Sequence, residues 1–322
     1  MNLEVDIALS WKKIAAISFN TAYHAAVTGV KGFSRNRVFI FLFLLASILP
    51  AACLPHKKLT VGAAASLVED VAKSAYKQSD LRVIRDGMPA YLLLMDGMVE
   101  AWPTNERLLI AAAQGYSSYA SAFMEDHDKK YANVLYAKAR DYALRSMEQR
   151  GFNNIRESSF DDFRYELNDI RKKDVPYAFW TAACWGNWIG LNLSSMAAMA
   201  ELPRVELMMR KVLELDEAFY YGGPHLFMGI WYASRPKIAG GNLDLAQEHF
   251  QKAITLGQGK FLMTHVYYAQ YYARRAFDEE LFRSELQKVL DTPADISPEL
   301  TLLNTVAHQR AKDMLDHLKD FF

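Results

Sequence analysis

The sequence has almost no cysteine: Cys53 and Cys184 are the two in 322 residues. No CxxC pair or Cys/His cluster with metal-ligand spacing can be built from them, so no metal is expected. Net charge is also missing, with 37 basic and 37 acidic side chains. The first 52 residues hold five of the basic and two of the acidic ones, which leaves the remainder slightly acidic. No basic patch stands out, so nucleic acid is not an expected partner. HExxH, GxSxG, a Walker loop and a glycine-rich dinucleotide turn are all absent. Without a recognisable nucleophile–base pair, neither an enzyme nor a cofactor is expected. Few stretches alternate as strands do, and no strand is needed to account for the chain.

Apolar residues, by contrast, make up 51% of the chain and aromatic ones 13%, ample for a core in one large or two modest domains. The longest apolar run is residues 38–49. As a helix it would be only about 18 Å long, short of a bilayer core of ~30 Å. Lys31, Arg35 and Arg37 precede it; Pro50, Ala51, Ala52 and Cys53 follow. A positive flank, a short apolar core and small residues at its end define a secretory signal, expected over residues 1–52. Residues 1–30 include Trp11, Lys12 and Lys13 but no clear pattern, and a start assigned too far upstream would explain them. A cysteine after two alanines resembles the bacterial lipobox, with Pro50 where that pattern has an aliphatic residue. The resemblance implies lipidation of Cys53; residues 53–60 then read as a lipidated tether and residues 61–322 as a helical repeat domain. An ordinary signal peptide cut nearby is the alternative. A lipidated Cys53 leaves Cys184 as a lone thiol, expected to be buried and structural.

Residues 221–272 carry the clearest structural pattern. Asn242 is a helix N-cap, its side-chain oxygen placed to accept from first-turn amides. Ala246, His249, Phe250, Ala253, Ile254 and Gly257 then recur at helical spacing, with Asp244, Gln247, Glu248, Gln251, Lys252 and Thr255 on the other face. Gly229 and Tyr232, followed by Ala246, Phe250 and Ala253, match the small, aromatic, Ala, aromatic, Ala order of the tetratricopeptide repeat. Small residues let two helices cross closely, and aromatics fill the groove beside them. The turn at residues 234–242, SRPKIAGGN, is too long for a regular repeat. The repeat is therefore degenerate.

The rest of the chain reads as helices of the same kind. Residues 61–76 are Ala-rich. Residues 81–99 form a helical stripe that Gly87 and Pro89 should kink or split, and Thr104 is placed to cap the next helix. Residues 106–125 are nearly all small and apolar; Ala111, Gly115, Ser118 and Ala122 line one side, so a partner helix is expected close against it. Its hairpin partner starts near Asp128 and ends at Gly151, and a shorter amphipathic helix, residues 160–171, follows. Residues 175–190 hold Trp180, Cys184 and Trp188 on one face, with Trp185 beside them. Residues 203–215, 261–277 and 279–290 are further helices. Ser297, Pro298 and Glu299 give the last one a capping side chain, a first-position proline and a first-turn acid. The expected fold is all-α: a superhelix of degenerate tetratricopeptide hairpins.

Gly222, Gly223, Pro224 and His225 form the one concentrated loop motif. It reads as a tight turn setting the hairpin angle, with His225 at a packing position, rather than as an anion cradle. Repeat folds often leave a cavity along a concave face, and ligand pockets are mostly apolar with a few polar groups. Trp185, Asn187, Trp188, Tyr221, His225, Trp231, Tyr267 and Tyr271 are the residues that would suit such a pore.

The signal ending at Cys53, the long turn closing in GGN, and the segments YYGGPHLFMGIWYASRP, LAQEHFQKAI and VYYAQYYARRAFDEELF resemble the T component of TRAP transporters. That is a family of periplasmic lipoproteins accompanying tripartite ATP-independent organic-acid transporters. The likeness spans roughly residues 64–290. It implies cryptic tetratricopeptide repeats, a homotrimer, a hydrophobic pore in each protomer, and association with the substrate-binding P component, to which an apolar ligand is passed. A lipid anchor on Cys53 would hold the protein to a membrane from the periplasm. Leu54 stands where an aspartate would resemble an inner-membrane retention signal, which points to the outer membrane. The alternative function is a tetratricopeptide lipoprotein scaffold for envelope assembly, working by protein–protein interaction without a small ligand.

Overall fold

Capping side chains set the start of most helices. Asp80, Asn105, Asp128, Ser159, Ser195, Asn242 and Asp278 each accept from a first-turn backbone N–H, satisfying donors that a helix leaves open. The computed structural model describes residues 56–153 and 155–322. The expected signal and Cys53 lie outside the described residues. The helices are α1 (His56–Tyr76), α2 (Leu81–Ala101), α3 (Glu106–Tyr119), α4 (Lys129–Gln149), α5 (Phe160–Glu166), α6 (Val175–Gly190), α7 (Met196–Leu215), α8 (Phe219–Ala233), α9 (Leu243–Leu256), α10 (residues 263–276), α11 (Glu279–Asp291) and α12 (Thr301–Asp316). α3 runs on through a π-helical stretch, Ala120–Met124, and α10 widens to π-helix over Tyr268–Ala273. No strand occurs among the described residues. The fold is all-α and helical-repeat-like, as expected.

Consecutive helices pair as hairpins, α3 with α4, α6 with α7, α8 with α9 and α11 with α12, and α4 packs on α6. The α8–α9 crossing shows why the residue order matters. A Cβ on Gly229 would lie 3.0 Å from the Phe250 ring. Ala246, Phe250 and Ala253 are fully buried beneath it, and a buried Phe side chain alone contributes ~1.5–3 kcal/mol. The long turn between the two helices folds back on itself: Gly241 N–H donates to Pro236 O and Asn242 N–H to Tyr232 O, both at 3.1 Å. A Cβ on Gly241 would sit 1.8 Å from Arg235 O, so only glycine fits there. Tyr220, Tyr221 and Gly222 all have positive φ, making the start of α8 the tight turn that the Gly-Gly-Pro motif predicts.

Several boundaries differ from expectation for physical reasons. α1 already begins at His56, so residues 56–60 are helical. α2 is a single helix with Pro89 inside it; Arg85, Asp86, Gly87 and Pro89 are all exposed, and water can take the carbonyl that proline leaves unpaired. Asn105, not Thr104, caps α3. α7 starts at Met196 under the Ser195 cap and carries Pro203 within it. α5 stops at Glu166, short of the expected residue 171. Ser297 gives its hydroxyl to the Glu299 carboxylate at 2.7 Å instead of capping, and a short 3₁₀ turn, Pro298–Leu300, leads into α12. Cys184 is fully buried, as expected, and burial pushes its thiol up to about 12.

Candidate functional site

The small-residue face of α3 does not meet a close partner helix. Ala111, Gly115, Ser118 and Ala122 front a partly open cavity of about 830 Å³ bordered by α1, α2, α3 with its π-helical extension, and α12. At Gly115 α2 comes close: a Cβ there would lie 3.1 Å from Leu92 and 3.5 Å from Tyr91. Elsewhere the short side chains leave room, and the opposite wall supplies the bulk. Val68 and Tyr76 come from α1, Ile84, Met88, Tyr91 and Met95 from α2, Trp102 from the loop between, and Leu302 and Val306 from α12. The volume falls in the range of sites that enclose small organic molecules, ~300–1,000 Å³. The walls are dry enough to disfavour charge. Burial pushes the Tyr91 phenol up to about 12, helped by the neighbouring Tyr76 and Glu69, and burial also raises Tyr76, against a hydrogen bond from Ser118.

Charged groups on the wall sit at its rim and are paired. Arg107 meets Glu69 at 2.9 Å and Lys73 meets Asp70 at 3.0 Å, with all four side chains at least half exposed. Polar groups deeper in are few: Gln114 and Ser118, one turn apart on α3. The frame is pinned from behind by Asp96 of α2. Its carboxylate accepts from Tyr116 of α3 and Tyr142 of α4 at 2.7 Å each, and from Lys138 of α4 at 2.5 Å. Burial would raise the Asp96 pKa, but these donors outweigh it and the net shift is downward. Arg310 of α12 reaches the extension of α3 through Ser121 O at 2.5 Å and Asp126 at 3.1 Å, and α10 through the Tyr267 hydroxyl at 3.4 Å.

None of the eight residues picked from the sequence as pore-lining is on this wall. Trp185 is buried with its indole N–H on Glu201 and its ring edge-on to Phe163. Asn187 donates to Ser117 at 3.2 Å. Trp188 stacks under the Arg140 guanidinium, 4.1 Å away. Tyr221, in its left-handed conformation, packs on Tyr220 and Phe261. Trp231 lies under Arg235 at 3.8 Å, and its indole N–H has no hydrogen-bond partner among the described residues. Tyr267 and Tyr271 pair at 5.8 Å, and Tyr271 also borders a surface hollow beside Arg274 and Phe277. His225 is a packing residue: its Nδ1 is 2.9 Å from His249 Nδ1 and its Nε2 is 3.1 Å from Glu217. Burial lowers both imidazoles, Glu217 opposing the shift at His225, and His249 falls to about 4. Sequence reasoning followed the aromatic stripes, which built core. The signal for the cavity was the small-residue face of α3, with an amide and a hydroxyl set among its alanines.

A family model described as TRAP transporter T-component matches residues 77–322, which takes in every helix from α2 onward. The chain belongs to the TRAP transporter T-component family. An uncharacterized protein from Treponema pallidum (strain Nichols) is 22% identical over 270 residues, covering 79% of this chain and 84% of that protein. As a T component, the chain is an accessory of a TRAP transporter. Among the described residues no helix is long and apolar enough to cross a membrane.

Proposed function

We propose that this T component is a non-enzymatic periplasmic lipoprotein that docks the substrate-binding P component and holds an apolar organic ligand in the cavity between α1, α2, α3 and α12. The observation that carries this reading is the cavity itself: about 830 Å³, walled by aliphatic and aromatic side chains, with its charges paired at the rim. Burying apolar ligand surface there yields roughly 25 cal/mol per Å². Leu67, Val71 and Val83 stand 67%, 49% and 60% exposed on α1 and α2, and the latter two also line the cavity. An exposed apolar patch beside a ligand mouth suits a partner that passes the ligand on. This surface is where the P component docks, and the aromatic stripes of α6, α8 and α10 serve as core.

The protein works as a homotrimer, and the lipid on Cys53 of each subunit confines it to the outer membrane. One acyl anchor is marginal, whereas three anchored subunits bind firmly. Uptake of the neutral fluorophore N-phenylnaphthylamine tests the cavity. The wild-type chain should bind it, and Ala111→Phe, which pushes a ring into the cavity, should lose most of the signal with the circular dichroism unchanged. Equal uptake by both proteins would place the ligand elsewhere.

A further inference from the structure

The polar groups on the cavity wall differ sharply in what they have left to offer. Arg107, Glu69 and Lys73 are already in ion pairs at the rim. Asn105 is occupied in capping α3, where its side chain accepts from Arg107 N and Leu108 N. Ser118 is engaged with Tyr76. Gln114 and the Tyr91 phenol are the exceptions: both line the cavity, and among the described residues neither side chain has a hydrogen-bond partner, with the amide of Gln114 offering the larger set of bonds. A primary amide brings two donors and one acceptor, and one that faces an apolar cavity without a partner forgoes those bonds.

We propose that the cavity takes an uncharged amphiphile, an apolar body bearing one hydroxyl or carbonyl group, and that Gln114 binds that group. The inference rests on the cavity being the ligand site, as proposed above, and specifies the ligand class. The absence of a spare cation decides against an acid. A carboxylate beside Gln114 would be desolvated with no unpaired Arg or Lys among the described wall residues to neutralise it, and a buried anion without a partner is strongly disfavoured. A neutral hydroxyl or carbonyl meets the amide on equal terms and satisfies it. A plain hydrocarbon fits the volume but leaves Gln114 unpaired.

Three probes with the same chain separate these cases: decanol, decane and decanoate, each displacing N-phenylnaphthylamine from the full chain at about pH 8, where the acid is ionised. Decanol should bind about tenfold more tightly than either of the others, the ratio expected of one buried neutral hydrogen bond. Gln114→Leu should bring decanol down to the level of decane while leaving decane unchanged or improved, which a general loss of folding would not do. Ser118→Ala, beside it, should keep the preference. Decanoate binding as well as decanol, or a Gln114→Leu variant with the wild-type preference, overturns the inference while leaving the cavity as a ligand site. If none of the three binds, the ligand reading itself falls.

Discussion

Asp96 holds α2 against α3 and α4 through two tyrosine hydroxyls and one ammonium. Hydrogen bonds to a charged group contribute ~1.5–3 kcal/mol, so Asp96→Ala is expected to lower stability by about 2 kcal/mol. A urea midpoint within error of the wild type would show the cluster to be dispensable. This cluster was invisible in the sequence. Asp96, Tyr116, Lys138 and Tyr142 are spread over three helices, and only the packing of those helices brings them together. Gln114 was hidden for a different reason. It sits inside a stripe whose other members are small, and such a stripe usually means a close crossing, not a space. The Asn242 cap was easily read, because it acts on a backbone amide within its own first turn, whereas Thr104 and Ser297 do not cap as expected.

At the scale of elements, the α8–α9 hairpin was legible because its rule is local: a small residue, an aromatic, and alanines at fixed spacing. The turn within it makes a testable contrast between two adjacent glycines. Gly241→Ala would place a Cβ 1.8 Å from a backbone carbonyl, whereas Gly240, at φ 86°, has open space around it. Gly240→Ala should cost about 1–2 kcal/mol, the strain of a left-handed alanine. Gly241→Ala should cost distinctly more, because backbone has to move. Matching thermal midpoints for the two variants would refute the folded-back turn. The prolines misled for the opposite reason. Pro89 and Pro203 lie inside helices, and sequence alone does not tell whether the freed carbonyl reaches water. The π-helical stretches after α3 and within α10 have no simple sequence mark either. Yet Ala122 and Phe123 of the first one belong to the cavity wall, in keeping with the tendency of π-bulges to occur at functional sites.

For the whole molecule, falling pH weakens two places in turn, and the His225–His249 pair is the first of them. The His249 ring falls from 6.5 to about 4 in the folded chain, through burial first and then the charges of His225 and Arg210. A histidine whose folded pKa is depressed binds fewer protons folded than unfolded, so stability declines as pH falls below about 6.5 and levels off near 4. With the ring only partly buried, the loss should be roughly 1–2 kcal/mol, and His249→Asn should flatten the curve across that window. Asp96, whose pKa is lowered, adds a further loss only below about pH 4, as the carboxylate protonates. A urea midpoint that stays constant from pH 7 to pH 4 would contradict the first of these assignments.

In the proposed function this T component works by binding the P component beside its ligand cavity. Sedimentation velocity tests it most directly, on the full chain alone and mixed with the substrate-binding protein encoded nearest its gene. A trimer that shifts to a heavier complex, and fails to shift when Leu67 and Val83 are both changed to Asp, is the predicted result. A chain that sediments unchanged in the presence of that partner would contradict the account.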